Sequence, residues 1–221
     1  MTFRNLTNAE ETILKRSFNN WGIFEIFKTL RILIRTLVLD AVISDQKHTL
    51  TLGYSNGTEF TEPEKTIKRT KEVFVHSNIK YDNTLFNKIH PVIVGLKIGT
   101  IKNKRFSPGL NFAEFVVKHN KNMDYPHVII NTKAESLIVF GRDIMGSSIL
   151  SYFKDIKENQ QAIILNHNKE VIGLGKSRYS GRLIIQPNVI TIDTTQDIGT
   201  YYLKSENRLS KSIDKNKDHS L

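Results

Sequence analysis

The segment Gln161-Ala162-Ile163-Ile164-Leu165-Asn166-His167-Asn168-Lys169-Glu170-Val171-Ile172-Gly173-Leu174-Gly175 holds two short apolar runs around a polar turn. Gln161 to Asn166 reads as a strand, Asn168 to Glu170 as the turn, and Val171 to Gly175 as the next strand. The same grammar continues on both sides. Val128 to Ile130 is a short strand, Leu137 to Phe140 is an apolar run ending at Gly141, and Ile144 to Phe153 is expected to form a short helix after a Gly-Arg-Asp loop. Beyond a turn at Tyr179 to Gly181, Leu183 to Ile185 and Val189 to Ile192 complete the series. Short strands at regular spacing with polar turns predict a small barrel rather than an open α/β sheet.

The first half reads differently. Thr7 stands ahead of a helical pattern with Glu10 and Glu11 in its first turn, where the helix dipole favours acid. Ile13, Leu14, Phe18 and Trp21 recur at helical spacing, and Gly22 is a natural stop. Ile26 to Ile34 is helical or mixed. Leu37 to Ile43, Leu50 to Tyr54, Glu72 to Ser77 and Pro91 to Ile101 read as strands. Asn56-Gly57 is a turn signal, Thr58 to Thr70 a solvated loop or surface helix, and Asp82 to Ile89 a short helix. Leu110 to Val117 fits helix or strand. The polar stretch His119 to Pro126 is the expected boundary. The fold class is therefore α+β: an N-terminal α/β domain with an antiparallel or mixed sheet over 1–126, a β-barrel over 127–206, and a polar tail over 207–221 that is expected to be disordered.

The chain has 221 residues and a formal net charge of +10. Residues 1–126 hold 19 Lys/Arg against 12 Asp/Glu, a net of +7, whereas residues 127–203 hold 8 against 7, a net of +1. Positive charge attracts polyanions, so any patch on the barrel must come from local geometry. There is no cysteine, which excludes disulfides and thiolate chemistry and is compatible with the cytoplasm. No apolar signal core is visible at the N-terminus, and Ile32 to Ile43 is too interrupted to span a membrane. The Lys, Asn and Ile richness fits an archaeal or AT-rich microbial source.

Three segments together resemble the PUA domain. They are Ala134 to Ile149 with its Gly141-Arg142-Asp143 loop, Ile163 to Asn166 with Glu170 to Gly175, and Asp197 to Leu203. The first, with Ile98-Gly99-Thr100, Arg105-Phe106-Ser107-Pro108 and Leu110-Asn111, further resembles archaeal relatives of a eukaryotic large-subunit ribosome-assembly factor, nuclear import protein seven, a UPF0113-like family. The resemblance covers residues 91–207 well and 1–90 poorly. It implies a PUA-type barrel and RNA binding near Arg142, Asp143, Gly146, Ser147 and Gly173.

Each of these residues also has a plain structural reading. Arg142 could grip a phosphate bidentately or pair with Asp143 or Glu135. Gly173 and Gly175 could simply turn a barrel corner. Lys176, Arg178 and Arg182 could neutralise several phosphates or form a solvated edge, and Tyr179 could stack on a base or pack over the barrel mouth. Lys102, Lys104 and Arg105 form a second basic group. Lys68, Arg69 and Lys71 form a third, diluted by Glu64 and Glu72.

No nucleophile elbow, P-loop or dinucleotide fingerprint occurs, and the seven histidines are dispersed without metal-ligand spacing. Asp143 with Glu135 is a possible acid pair that a structural turn also explains. The expectation is a non-catalytic, monomeric RNA-binding protein without a cofactor, contacting structured rRNA or tRNA, with ribosome-assembly proteins as partners of the first domain and no membrane. The competing readings are a protein-interaction adaptor with weak RNA affinity and an accessory factor for tRNA modification.

Overall fold

The computed structural model describes residues 3–39, 68–76, 88, 89, 91 and 93–203. The first half comprises β1 (Phe3–Asn5), α1 (Asn8–Asn20), α2 (Phe24–Phe27), β2 (Arg31–Leu39), β3 (Lys68–His76), β4 (Leu96–Lys102), β5 (Arg105–Pro108) and α3 (Leu110–His119). Its five strands form an antiparallel sheet in the order β1-β2-β3-β4-β5.

Helix α1 starts where its sequence says it should. The Thr7 side chain accepts from the Glu10 backbone N–H, and the Glu10 carboxylate accepts from the Thr7 N–H at 3.0 Å. This reciprocal cap satisfies two amides that would otherwise lack partners. Leu14, Phe18 and Trp21 are buried as their spacing predicts, and Gly22 leaves the helix at φ +65.

The second half comprises β6 (His127–Ile130), α4 (Thr132–Ile138), β7 (Ile144–Met145), β8 (Ile149–Tyr152), β9 (Gln161–Leu165), β10 (Val171–Ser177), β11 (Ile190–Asp197) and α5 (Gly199–Tyr202), with 3-10 turns at Gly146–Ser148 and Gly181–Ile185. The strand order is β7-β11-β10-β9-β6-β8. The β6–β9 pair is parallel and the others are antiparallel. The two edge strands, β7 and β8, follow one another in the chain, so the short Gly146–Ser148 turn draws the edges together and the sheet becomes a nearly closed barrel.

Strand β9 explains why its sequence is an unbroken apolar run. Ala162 and Ile164 point into the barrel core with Val128, Ile144, Ile172 and Ile192. Ile163 and Leu165 point the other way, into a second core built with Leu14, Phe18, Val73, Phe112 and Val116. A strand covered on both faces does not alternate. Helix α3 supplies the link: Phe112, Ala113 and Val116 are fully buried between the five-stranded sheet and the outer wall of the barrel. The ambiguous run Leu110 to Val117 is thus a helix, and its core cluster joins residues from both sides of position 126.

Several expected elements differ. Ile144 to Phe153 is not a helix: Ile144 and Ile149 are buried while Met145 and Leu150 are exposed, and Gly146-Ser147-Ser148 splits the segment into two short strands. Leu183 to Ile185 is a 3-10 turn that buries Ile184 alone, not a strand. The strand expected to begin at Leu37 begins at Arg31 and takes the last four residues of Ile26 to Ile34, the run read as helical or mixed, while Ile26 and Phe27 belong to α2. Arg35 is tolerated inside it because Glu72 of β3 lies directly opposite and accepts its Nε–H at 2.7 Å. The strand expected from Pro91 begins only at Leu96, after Gly95 turns at φ +77. Strand β3 takes up Lys68 to Thr70, expected to be part of a solvated loop or short surface helix. The readings of Leu50 to Tyr54, Asn56-Gly57, most of Asp82 to Ile89 and the tail from 204 fall outside the described residues.

Candidate nucleic-acid interface

The Gly-Arg-Asp loop is a helix cap that turns into a clamp. Helix α4 is opened by Asn131, whose side chain accepts from Ala134 N–H at 2.9 Å. It closes with Gly141 at φ +81, the Gly141 N–H donating to the Ile138 carbonyl at 2.7 Å and the Arg142 N–H to the Leu137 carbonyl at 3.3 Å. This double bond pattern is the glycine-terminated helix end, and glycine fits it because L side chains resist that φ. The chain is then tied to β11. The Thr194 N–H donates to Asp143 Oδ1 and the Thr194 hydroxyl donates to the Arg142 carbonyl, both at 2.8 Å. The backbone of Arg142 is therefore fixed from both sides while its side chain is exposed, and among the described residues its guanidinium makes no ion pair.

Asp143 and Glu135 do not form an acid pair. Asp143 is spent on the Thr194 amide. Glu135 instead accepts from the Asn166 side-chain amide at 3.1 Å and faces His167 at 4.0 Å. Asn166 also donates to Glu170 at 2.7 Å, so the cluster organises the β9–β10 turn.

Strand β10 carries Lys176 out to solvent opposite Asp193 of β11. Two residues on, Arg178 reaches the same aspartate, Nε at 2.8 Å and Nη2 at 2.7 Å. The hydrogen bond to Asp193 raises the Arg178 pKa above its ordinary value, against the opposing effect of partial burial. Arg182 stands exposed at the start of the second 3-10 turn, and Tyr179 is half-buried with its carbonyl accepting from the Ser177 hydroxyl. Ser147 is exposed. Gly146 and Gly173 are buried, the first under the Gln186 backbone and the second between β9 and β11, so they shape the barrel and offer no surface to a ligand.

Lys102, Lys104 and Arg105 occupy the tip of the β4–β5 hairpin, all exposed. Asn103 and Lys104 both have positive φ, 50 and 58, the geometry whose twist matches a two-residue hairpin. The base of this hairpin meets the barrel, where the Gln196 amide donates to the Pro108 carbonyl at 3.2 Å. Of the third basic group, Lys71 is engaged by Glu10 at 2.8 Å. Among the described residues no cluster of His, Asp and Glu is arranged to hold a metal ion.

These features define the class: an α+β protein whose C-terminal half is a nearly closed barrel of the PUA type. Residues 126–207 match the UPF0113 PUA domain family. Over 159 residues the chain is 26% identical to a UPF0113 protein of Archaeoglobus fulgidus, an overlap of 71% of this chain and 88% of that one. A hypothetical protein of the hyperthermophilic archaeon Pyrococcus horikoshii has a similar fold, with a TM-score of 0.56 at 11% identity over 88% of this chain and 93% of its own. A conserved PUA domain protein from Thermoplasma acidophilum superposes with a TM-score of 0.42 at 11% identity, covering 60% of this chain and 78% of its own.

Proposed function

We propose that this protein is a non-catalytic RNA-binding factor that grips structured RNA, rRNA during large-subunit assembly, through its PUA barrel. The observation that carries the reading is the rigid presentation of Arg142: a backbone fixed by a helix cap and two bonds to Thr194, bearing a free, exposed guanidinium. Such a group meets a phosphate bidentately without reordering the chain. Lys176, Arg178 and Arg182 extend the patch, with Ser147 and Tyr179 at its margin. The Arg178–Asp193 pair does not disqualify Arg178, because exposed pairs are worth only about 0–1 kcal/mol and exchange readily for a phosphate. Lys102, Lys104 and Arg105 widen the footprint from the first domain, residues 1–126, which would also meet assembly proteins. A monomer acting in the cytoplasm suits this role, and among the described residues no helix is long and apolar enough to cross a membrane.

The test is binding of the full chain to rRNA fragments and tRNA across a salt series, compared with Arg142→Ala, a Lys176→Ala/Arg178→Ala/Arg182→Ala variant and a Lys102→Ala/Lys104→Ala/Arg105→Ala variant. The expected result is affinity that falls with salt and drops tenfold or more in the barrel variants. The salt slope should shrink by about 0.7–0.9 for each phosphate that is no longer neutralised. Barrel variants that bind as the wild type does would move the site to the hairpin domain. No binding to any of these RNAs at low salt would overturn the reading.

A further inference from the structure

We propose that the tip of the β4–β5 hairpin, with the start of β3 beside it, is a clamp for the phosphates of duplex RNA. The proposal rests on the RNA-binding reading above and names the form of RNA that the first domain takes.

The tip departs twice from a hairpin built for stability. Lys102 and Arg105 stand directly opposite one another in the register, and like charges in that position repel. Between them Asn103 and Lys104 both have positive φ, 50 and 58. Asparagine takes that conformation readily, but glycine is the residue that fits the second place of such a turn, and lysine is strained there. Both departures put a cation at the tip. A local sequence that works against its own fold marks a functional position, and a bound polyanion relieves the repulsion.

The tip is held by what lies behind it. Ile101 is buried, and the Phe106 ring packs edge-on against Phe112 of α3 at 5.3 Å. At the base the Gly109 N–H donates to the Ile98 carbonyl at 2.8 Å. The hairpin therefore presents Lys102, Lys104 and Arg105, all exposed, on a fixed backbone. Among the described residues none of the three makes an ion pair.

Strand β3 adds charge that the sequence keeps more than thirty positions away. Lys71 stands opposite Ile101 of β4, so Lys68 and Arg69 lie at the same end of the sheet as the hairpin turn. Two neighbouring carboxylates do not compete. Glu72 of β3 and Glu10, which meets Lys71, are both buried, and they are held by Arg35 and Lys97 and by Arg4 and Lys71.

The chemistry of the tip selects the ligand. Phe106 is turned toward Phe112, so the hairpin offers cations without a ring on which a base could stack, and such a surface binds backbone rather than bases. Strands β3 and β5 flank β4, about 9–10 Å apart at one strand spacing each. The major groove of A-form RNA is narrow, so the phosphates of its two strands face one another across it, whereas that of B-DNA is about 12 Å wide. A band of cations of this width meets both edges of the RNA groove and only one edge of the DNA groove.

The test titrates the full chain with a blunt RNA duplex, a DNA duplex of the same sequence and the matching single-stranded RNA, at low and moderate salt. Wild type is expected to bind the RNA duplex about fivefold or more tighter than the DNA duplex. Lys102→Ala/Lys104→Ala/Arg105→Ala should lose roughly tenfold on the RNA duplex and with it the preference over DNA, Lys68→Ala/Arg69→Ala should reduce that preference, and Lys102→Arg/Lys104→Arg should keep it. Lys176→Ala/Arg178→Ala/Arg182→Ala should weaken binding to both duplexes and leave their ratio as in wild type; melting curves confirm that each variant is folded. A hairpin or β3 alanine variant with the wild-type ratio, or a wild type that binds both duplexes alike, overturns the clamp and leaves the barrel reading standing. So does binding of single strands alone, whereas failure to bind any of these RNAs at low salt overturns both.

Discussion

Gly146→Ala tests whether the packing of one small residue sets the position of the basic edge. A Cβ at Gly146 would lie 2.2 Å from the Gln186 carbonyl oxygen and 2.8 Å from both the Gln186 nitrogen and the Ile185 carbonyl carbon. These are backbone atoms, so no side-chain rotation relieves the clash. Restoring an ordinary separation of about 3.2 Å requires the Gly181–Ile185 turn and the Gly146–Ser148 turn to part by about 1 Å, against a core that holds Ile184 fully buried. Overpacking of this kind costs about 1–3 kcal/mol. For a chain of this size each kcal/mol lowers the melting temperature by about 2–4 °C, so a fall of about 2–12 °C is expected. Because the displaced turn carries Arg182, RNA affinity should also fall. The effects of Gly146→Ala and Arg182→Ala on affinity should be less than additive, since both disturb the same phosphate grip. Thermal melting followed by circular dichroism reads the first effect, and a double-mutant cycle in RNA binding reads the second. A melting temperature unchanged to within about 1 °C, with amide resonances of residues 181–186 unmoved, would refute the close-packing argument.

The charged groups carry the other expectations. Glu10 is buried and accepts from Arg4 at 2.6 and 2.7 Å and from Lys71 at 2.8 Å; burial opposes ionisation, but these bonds and the Thr7 amide together hold its carboxyl far below the usual range. Glu10→Gln should cost about 1–3 kcal/mol, below the figure for a fully buried pair because both cations are partly exposed, and urea titration at neutral pH measures it. The pKa of Glu72 is also lowered, by Lys97 and Arg35 working against burial. A carboxylate depressed in the folded state contributes stability above its unfolded pKa and loses it as pH falls, so wild type should weaken below about pH 4.5, and less steeply in Glu10→Gln. The His127 pKa is lowered chiefly by burial, opposed by its bond to the Tyr125 carbonyl. Stability should therefore also fall as pH drops through 6.5, the ordinary histidine value, and His127→Phe should shrink that limb of a melting-temperature profile, leaving the share of His76, whose pKa burial also lowers. Lys104→Gly should stabilise the hairpin by about 0.5–1 kcal/mol, since Lys104 sits at φ 58, while reducing the salt slope of RNA binding; an unchanged slope would place the hairpin tip outside the footprint.

The legible parts of the fold are those whose signal is local. Thr7 with Glu10 announces α1, its apolar spacing announces the buried face, and the turn around Asn168 separates β9 from β10. What escapes a reading of the sequence depends on partners distant along it. Arg35 looks unlike a strand residue until Glu72, 37 positions later, appears across the sheet. Strands β7 and β8 are two and four residues long, too short for period-two alternation to outweigh a helix-length apolar run, and they exist because β11 and β6 lie beside them. The site divides in the same way. The Gly141-Arg142-Asp143 loop stands out in the sequence, but its tie to Thr194, 51 residues beyond Asp143, does not. Nor does the engagement of Arg178 by Asp193.

Charge totals mislead for a related reason. Residues 1–126 carry the larger excess, +7, yet several of its cations are held against acids: Arg4 and Lys71 by Glu10, Arg35 and Lys97 by Glu72, Lys15 by Glu11 and Lys28 by Glu25. The hairpin cations Lys102, Lys104 and Arg105 are exposed and lie outside these pairs. The barrel, with a net of only +1, directs several acids inward or along the backbone: Asp143 to an amide, Glu135 and Glu170 to Asn166, Asp197 into the core. Asp193 meets Arg178, while Arg142, Lys176 and Arg182 are exposed and make no ion pair among the described residues. A polyanion at the surface responds to the field within about a Debye length, roughly 8–10 Å, so on the proposed RNA-binding reading the placement of individual exposed cations matters more than the module's near-neutral total. Long-range steering should therefore be weak, the salt dependence of binding should report a few well-placed cations rather than the net charge, and substituting those three residues should change the slope more than any equal number of lysines elsewhere on the chain.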